Sequence, residues 1–216
     1  VQKPVSKAAS LKLVGGRLCL DFLNTGEWYA SAGPLDYLTS YNELVKWAGH
    51  AGALSSGEVH QLEQQSQSHP QDAEKVYKMA IKLRSALLRM FHALQRQEEP
   101  AGADLEIFNA ALSKTMKRLT LSPDQGRFNW GWQDAGLPLD KVLWPIVKDA
   151  AELFTSDQLP RVSRCADDTC GWFFLDTSRN RSRRWCDMKD CGNRAKVKRH
   201  YQKSKITHLQ AQSPPA

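Results

Sequence analysis

The sequence predicts a mainly α fold with a small β-hairpin. A helical N-terminal domain is followed by a small C-terminal module. Three observations carry this reading. Apolar residues recur at three- and four-residue steps from Asp72 to Gln97, the signature of a long amphipathic helix. Phe128, Trp130 and Trp132 alternate, the period of a strand with one apolar face. Four of the five cysteines fall between residues 165 and 191 as two pairs with the same spacing.

Residues 1–10 are polar and are expected to be frayed, as are residues 207–216. The run Gly16 to Leu23, with apolar residues at 18, 19, 20, 22 and 23, reads as a short buried helix entered from Gly15-Gly16. Cys19 lies inside it as a small buried hydrophobe. Asp21 and Asn24 would share one helix edge, where such a pair caps or braces a neighbouring helix end more often than it holds a ligand. Ser31-Ala-Gly-Pro34 reads as a turn. Ser40 and Glu43 form a capping box ahead of a stripe of Leu44, Val45, Trp47 and Ala48. A further helix starts at Ser56-Gly-Glu-Val59 and runs to about Gln67, and Ser68-His-Pro70 breaks the chain.

The long helix then places Val76, Met79, Ala80, Leu83, Leu87, Met90, Phe91 and Leu94 inward, with Lys75, Lys78, Lys82, Arg84 and Arg89 on other faces. The next helix carries Leu105, Phe108, Ala111, Leu112 and Met116 on one side. Residues 117–133 form the hairpin, around a loop at Ser122-Pro-Asp-Gln-Gly126. Its aromatic row is either a stacking platform or, the expectation favoured here, a surface packed on the helical core. Leu139 to Phe154 is the last helix of the domain, and Pro145 fits its first turn if the helix starts near Leu143. Asp157-Gln-Leu-Pro160 marks the boundary, giving a helical domain at about 11–157 and a module at 160–206.

In the module, Cys165, Cys170, Cys186 and Cys191 form two Cys-x4-Cys pairs fifteen residues apart. Two such pairs close a tetrahedron of sulfurs, the arrangement Zn²⁺ prefers, with Zn–S of about 2.3 Å. Two disulfides are the other reading, but residues 1–10 hold no apolar signal segment, so a soluble, cytoplasmic protein with reduced thiols is expected. Four thiolates leave no open position, so one structural zinc ion is expected, holding the fold and not reacting. The strand Trp172–Leu175, the loop Asp176–Arg184 and a helix from about Gly192 or Asn193 around the two pairs suggest a treble-clef or ribbon-like finger.

These residues resemble a known family. Cys165-x4-Cys170-Gly-Trp-x-Phe-x-Asp-x-Ser178 followed by Arg183-Arg-Trp-Cys186-x4-Cys191-Gly192-Asn193-Arg194 is similar to the CGNR zinc finger. In that family the finger follows an ABATE domain, whose start resembles Gly15-Gly-Arg-Leu-Cys-Leu-Asp-Phe-Leu-Asn-Thr25. The two together cover about residues 11–205. The resemblance implies a bacterial transcription regulator connected with stress.

Charge points the same way. Residues 161–210 hold 13 Lys and Arg against 5 Asp and Glu, while the rest of the chain holds 17 against 18. Counting four thiolates and one Zn²⁺, the module keeps a charge of about +6, the footprint of a nucleic-acid binder. Arg179, Arg181, Arg183 and Arg184 on the loop, and Arg194, Lys196, Lys198, Arg199, Lys203 and Lys205 on the final helix, are the candidate phosphate or groove contacts. Val197 and Tyr201 would be that helix's packing stripe, and Asn193 its N-cap. For Arg183, Arg184 and Arg194 a second role is open: bonding cysteine sulfurs or loop carbonyls.

The expected function is therefore a regulator whose finger binds DNA. Its helical domain would sense a small-molecule effector or mediate association, a homodimer included. The alternative is an RNA- or protein-binding zinc module in which Trp172, Phe173, Phe174 and Trp185 lie exposed for stacking. No catalytic residue is assigned. The sequence has no Ser-His-Asp order and no phosphate-cradling glycine loop, and its six histidines are scattered. No apolar run is long enough to span a bilayer.

Overall fold

The computed structural model describes residues 7–27, 35–133 and 136–211, and their side chains apart from those of Glu27, Leu35 and residues 203–211. The expected turn at Ser31–Pro34 lies outside the described residues.

Six helices form the body: α1 (Leu18–Leu23), α2 (Tyr41–His50), α3 (Ser56–Ser68), α4 (Pro70–Gln95), α5 (Gly102–Met116) and α6 (Trp144–Phe154). Capping residues fix several of their ends. Ser40 Oγ accepts the Glu43 N–H at the start of α2. At α3 the box is reciprocal, between Ser55 and Glu58, and is worth about 1 kcal/mol. Pro70 does not break the chain in the expected sense. It occupies the first turn of α4, where no N–H is needed, so the helix starts two residues before Asp72. Pro145 does the same for α6, after a 3₁₀ turn at Leu139–Leu143.

The 26-residue α4 runs through the core. Its buried face is Ala73, Val76, Ala80, Leu83, Ala86, Leu87, Met90, Phe91 and Ala93, while Met79, expected inside, is 37% exposed. Arg84, expected outside, is only 1% exposed. It donates to Thr25 Oγ1 at 2.7 Å and to both carboxylate oxygens of Asp36, which explains how a guanidinium is tolerated there. Asp36 belongs to, and Thr25 immediately precedes, a short ladder of β1 (Gly26–Glu27) and β2 (Leu35–Asp36), which α4 thereby holds against the body. On α5 only Phe108 of the expected stripe is fully buried; Leu105 and Met116 are 38% and 39% exposed, and Asp104 turns inward to bind Arg89. Residues 8–10 are not frayed: Ala8–Ser10 form a 3₁₀ turn against α2, with Ala8 buried.

The hairpin is β3 (Leu119–Asp124) and β4 (Arg127–Trp132). It differs from expectation in two respects. Its turn is tight, because Gln125 and Gly126 both take positive φ (44° and 81°), so the strands extend through Pro123 and Asp124. It also leaves the core instead of covering it. Its base meets the body, through Trp132 against Trp144 at 5.5 Å and Trp130 beside Lys148 of α6 at 5.9 Å, while Phe128 and Trp130 are still 69% and 61% exposed.

The C-terminal segment adds β5 (Val162–Arg164) and β6 (Phe173–Leu175), paired antiparallel, and α7 (Asn193–Ala211). Alternation along β6 serves two cores. Phe173 and Leu175 complete the helical core, while Phe174 packs with the cysteines. Phe173 meets Phe91 at 5.8 Å and His92 edge-on at 5.1 Å. Asn24 locks the junction, donating to the Phe173 carbonyl (2.8 Å) and accepting its N–H (2.9 Å). The edge residue on α1 therefore braces a strand of the other module, not a helix end. Gly15 extends the junction by accepting the Leu175 N–H at 2.7 Å. A Cβ there would stand 2.8 Å from the Asp21 nitrogen, so the approach needs glycine.

Candidate metal centre and basic surface

Cys165 follows β5, Cys170 precedes β6, Cys186 precedes a π-turn at Met188–Gly192 that leads into α7, and Cys191 lies within that turn. Their four sulfurs lie within 4.8 Å of one another, with Cys170–Cys186 at 3.5 Å and Cys186–Cys191 at 3.6 Å. None forms a disulfide. The edge of a tetrahedron of sulfurs around zinc is about 3.8 Å, so the cluster fits one structural zinc ion. Hydrogen bonds from the Cys170 and Cys186 thiols push Cys165 far down. That thiolate in turn pushes Cys170 and Cys186 up, and burial pushes Cys191 up. Four sulfurs this close hold protons between them unless a cation replaces those protons. Zinc bound here ties β5, β6 and the root of α7 to one point, and with four thiolates the shell is closed.

Surrounding groups orient the sulfurs. Arg194 Nη2 donates to Cys191 Sγ at 3.0 Å while its Nε donates to Asp167 at 2.8 Å. Asp167 in turn accepts the Thr169 N–H and hydroxyl, closing the first cysteine loop. Burial alone would raise Asp167, but the Arg194 and Thr169 bonds hold it below the usual carboxylate range. Asp187 accepts the Lys189 N–H and caps the π-turn. Asn193, the expected cap, is already helical and donates to the Lys189 carbonyl. Lys12 binds Asp187 and Asp190 at 3.0 and 2.5 Å, pinning the N-terminal segment to this knuckle. Asp167, Asp187 and Lys12 are not visible as site residues in the sequence, because nothing in their spacing marks them as partners.

The ten expected nucleic-acid contacts divide into groups. Arg183 turns inward: it donates to the Trp185, Cys186 and Val14 carbonyls and lies 4.3 Å from the Phe174 ring centroid. With Arg194 it takes the supporting role left open above. Arg184 lies exposed over the Trp185 ring, and Arg179 and Arg181 are exposed on the loop. On α7, Lys196 and Arg199 are exposed, and Lys198 is exposed but paired with Asp168 at 2.7 Å. Lys203 and Lys205 lie on α7, with side chains outside those described. Val197 and Tyr201 do not form a packing stripe; they are 53% and 70% exposed, since α7 leaves its root without a neighbour to cover it among the described residues. The finger's aromatics are not a stacking surface either. Phe173 and Phe174 are buried, Trp172 and Trp185 pack on the cysteine core, and Trp172 Nε1 donates to the Gly26 carbonyl.

Two family models match the chain. One, ABATE, described as "Putative stress-induced transcription regulator", covers residues 16–157. The other, the CGNR zinc finger, covers residues 161–204. No curated protein matches the chain. Among the described residues no helix is long and apolar enough to cross a membrane.

Proposed function

The chain belongs to the ABATE family and carries a CGNR zinc finger, and from that premise we propose that it is a regulator whose finger binds duplex DNA. One observation carries the reading. The described side chains of α7 are largely exposed and bear cations on several faces, and the helix is held near its root by the cysteine cluster and by the Arg194–Asp167 and Lys198–Asp168 pairs. A helix that no core requires, with that charge, suits a groove or a run of phosphates. Arg179, Arg181 and Arg184 lie on the loop between the two cysteine pairs and form a second set of contacts. Lys196, Lys198, Arg199, Lys203 and Lys205 form the helical set. Arg183 and Arg194 act indirectly, by fixing the surface on which the others stand. The helical domain, joined to the finger through β6, is the element that senses a small-molecule effector or mediates association. Burial of the finger's aromatics weighs against recognition of single strands by stacking.

A salt titration tests the proposal. With about six phosphate contacts, the logarithm of the binding constant for duplex DNA falls against that of salt with a slope near −5. Lys196→Ala and Arg199→Ala each make the slope shallower by about 1. A slope near zero, or no binding to random duplex at low salt, rejects the reading.

A further inference from the structure

One cleft belongs to neither the cysteine cluster nor the basic helix. It lies where the helical domain meets the finger, between the last turns of α4, a 3₁₀ turn at Leu159–Arg161, β5 and the loop residues Arg183 and Arg184. Its volume is about 680 Å³, in the range of small-molecule sites. One wall is apolar, with Phe91 and Leu94 from α4, then Leu159 and Val162. Arg164, Arg183 and Arg184 also line it. Among the described residues of its lining there is no carboxylate. The cations stand on fixed backbone. Arg164 and Val162, two apart on β5, share one face of the strand. The Arg184 carbonyl accepts the Ala166 N–H at 2.8 Å. Arg183 donates to the Trp185 and Cys186 carbonyls, and Arg184 lies 5.4 Å from the Trp185 ring centroid. Carbonyls and a ring satisfy N–H groups and a flat face, but they bring no negative charge to offset either guanidinium. The field of the group is felt nearby: His92, on the adjoining side of α4, is pushed below its ordinary value by burial and then by Arg164 and Arg96.

We propose, resting on the reading of the helical domain as a sensor, that this cleft is the effector site and that the effector is a small organic anion. Its head is a carboxylate or a phosphate, whose oxygens match the donor fork of arginine. Its body is apolar and lies on the wall of Phe91, Leu94, Leu159 and Val162. An inorganic anion leaves that wall wet, and a neutral apolar molecule leaves the arginines unanswered. The two halves of the site come from different parts of the chain. Phe91 and Leu94 belong to the helical domain and the arginines to the finger, so a bound anion ties one to the other. Arg184 is also among the loop contacts assigned to DNA, so anion and duplex oppose one another there.

Titration calorimetry of the zinc-loaded full chain tests this with octanoate, octyl phosphate, inorganic phosphate and octanol. No DNA is present, so the outcome does not depend on whether the finger binds duplex. The expected result is a single site for octanoate or octyl phosphate, the tighter of the two identifying the head group. Inorganic phosphate and octanol bind weaker by about tenfold or more. Arg184→Glu and Leu94→Asp, with unchanged zinc content and helicity, each weaken the tighter probe by about tenfold or more. Gln95→Glu sets a carboxylate at the exposed edge of the cleft, weakens the probe by about threefold, and decides the matter should Leu94→Asp not fold. Trp130→Ser, on the exposed aromatic row of the hairpin, leaves the affinity as it is. No binding of either amphiphile up to about 1 mM overturns the proposal. So does octanol or inorganic phosphate binding as tightly as the amphiphiles. Affinity lost in Trp130→Ser but kept in Arg184→Glu places the probe on the hairpin and also overturns it.

Discussion

Arg194 shows how far a single residue's role is decided by what lies within 3 Å of it. As one of six cations on the basic helix it is indistinguishable from a phosphate ligand in sequence. In the fold its guanidinium bridges Cys191 Sγ and Asp167, which raises its own pKa further, chiefly through Asp167. Replacing it should therefore act on the metal. Arg194→Ala is expected to weaken zinc binding by about 10-fold or more, measured by competition with a chromophoric chelator. At saturating zinc the salt slope for duplex DNA should not change. Asp21 gives a residue-scale prediction in pH. Burial, helped by nearby Asp149, pushes its carboxyl up to about 6, against the Gly15 and Val14 amides that bind it. The folded pKa lies above the unfolded one, so the neutral form favours folding. That contribution is complete below the unfolded value and is lost as pH rises through about 6. Asp21→Asn removes the ionisation. Between pH 5.5 and 7.5 the stability of the variant relative to the parent should rise by about 0.8 kcal/mol, read from urea midpoints with zinc in excess. A difference that does not vary with pH would show that Asp21 is not the titrating group.

Elements were legible where one period dominates a long stretch. The α4 stripe apart from Met79, the Pro145 helix start and the cysteine pairs follow from local rules, and they stand where the sequence puts them. What could not be read are facts about neighbours. Arg84 looks like a surface residue until Asp36 and Thr25, dozens of positions away, are brought beside it. The alternation of Phe128, Trp130 and Trp132 gives the strand correctly but not what covers it, because period two is the same for a face against a core and a face in solvent. Val197 and Tyr201 failed as a stripe for the same reason: spacing names a face, not a partner. The junction of α1 with β6 is another pairing that no local pattern shows. Asn24 is 3% exposed and satisfies both the N–H and the carbonyl of Phe173. Asn24→Ala leaves two buried backbone groups without partners and should cost about 2–4 kcal/mol in chemical denaturation. A loss under about 0.5 kcal/mol would mean that water replaces the amide and that the junction is not closed.

At the scale of the molecule, the two family matches meet at residues 157–161, yet the hydrophobic core does not divide there. Phe173 and Leu175 of β6 sit in the same core as α1, α4 and α6, at 1% and 6% exposure. The other face of the same three-residue strand holds the cysteine cluster through Phe174. A strand so short has no stability of its own; its position rests on β5 and on the metal-bound cysteines at either side. Removing zinc should therefore reach the helical core. Losing the packing of one phenylalanine and one leucine costs about 3–5 kcal/mol. In a chain of this length that corresponds to a fall in Tm of roughly 10–15 °C. The expected thermal melt, followed by far-ultraviolet circular dichroism, is one transition with zinc and a single transition at lower temperature after chelation. Returning zinc should restore it. Cys165→Ser and Cys191→Ser should place the protein in the low-melting state regardless of zinc. If the helical transition stays where it was while only a small signal from α7 is lost, the finger folds apart from the body, and a signal received by the helical domain would have no rigid path to the basic surface.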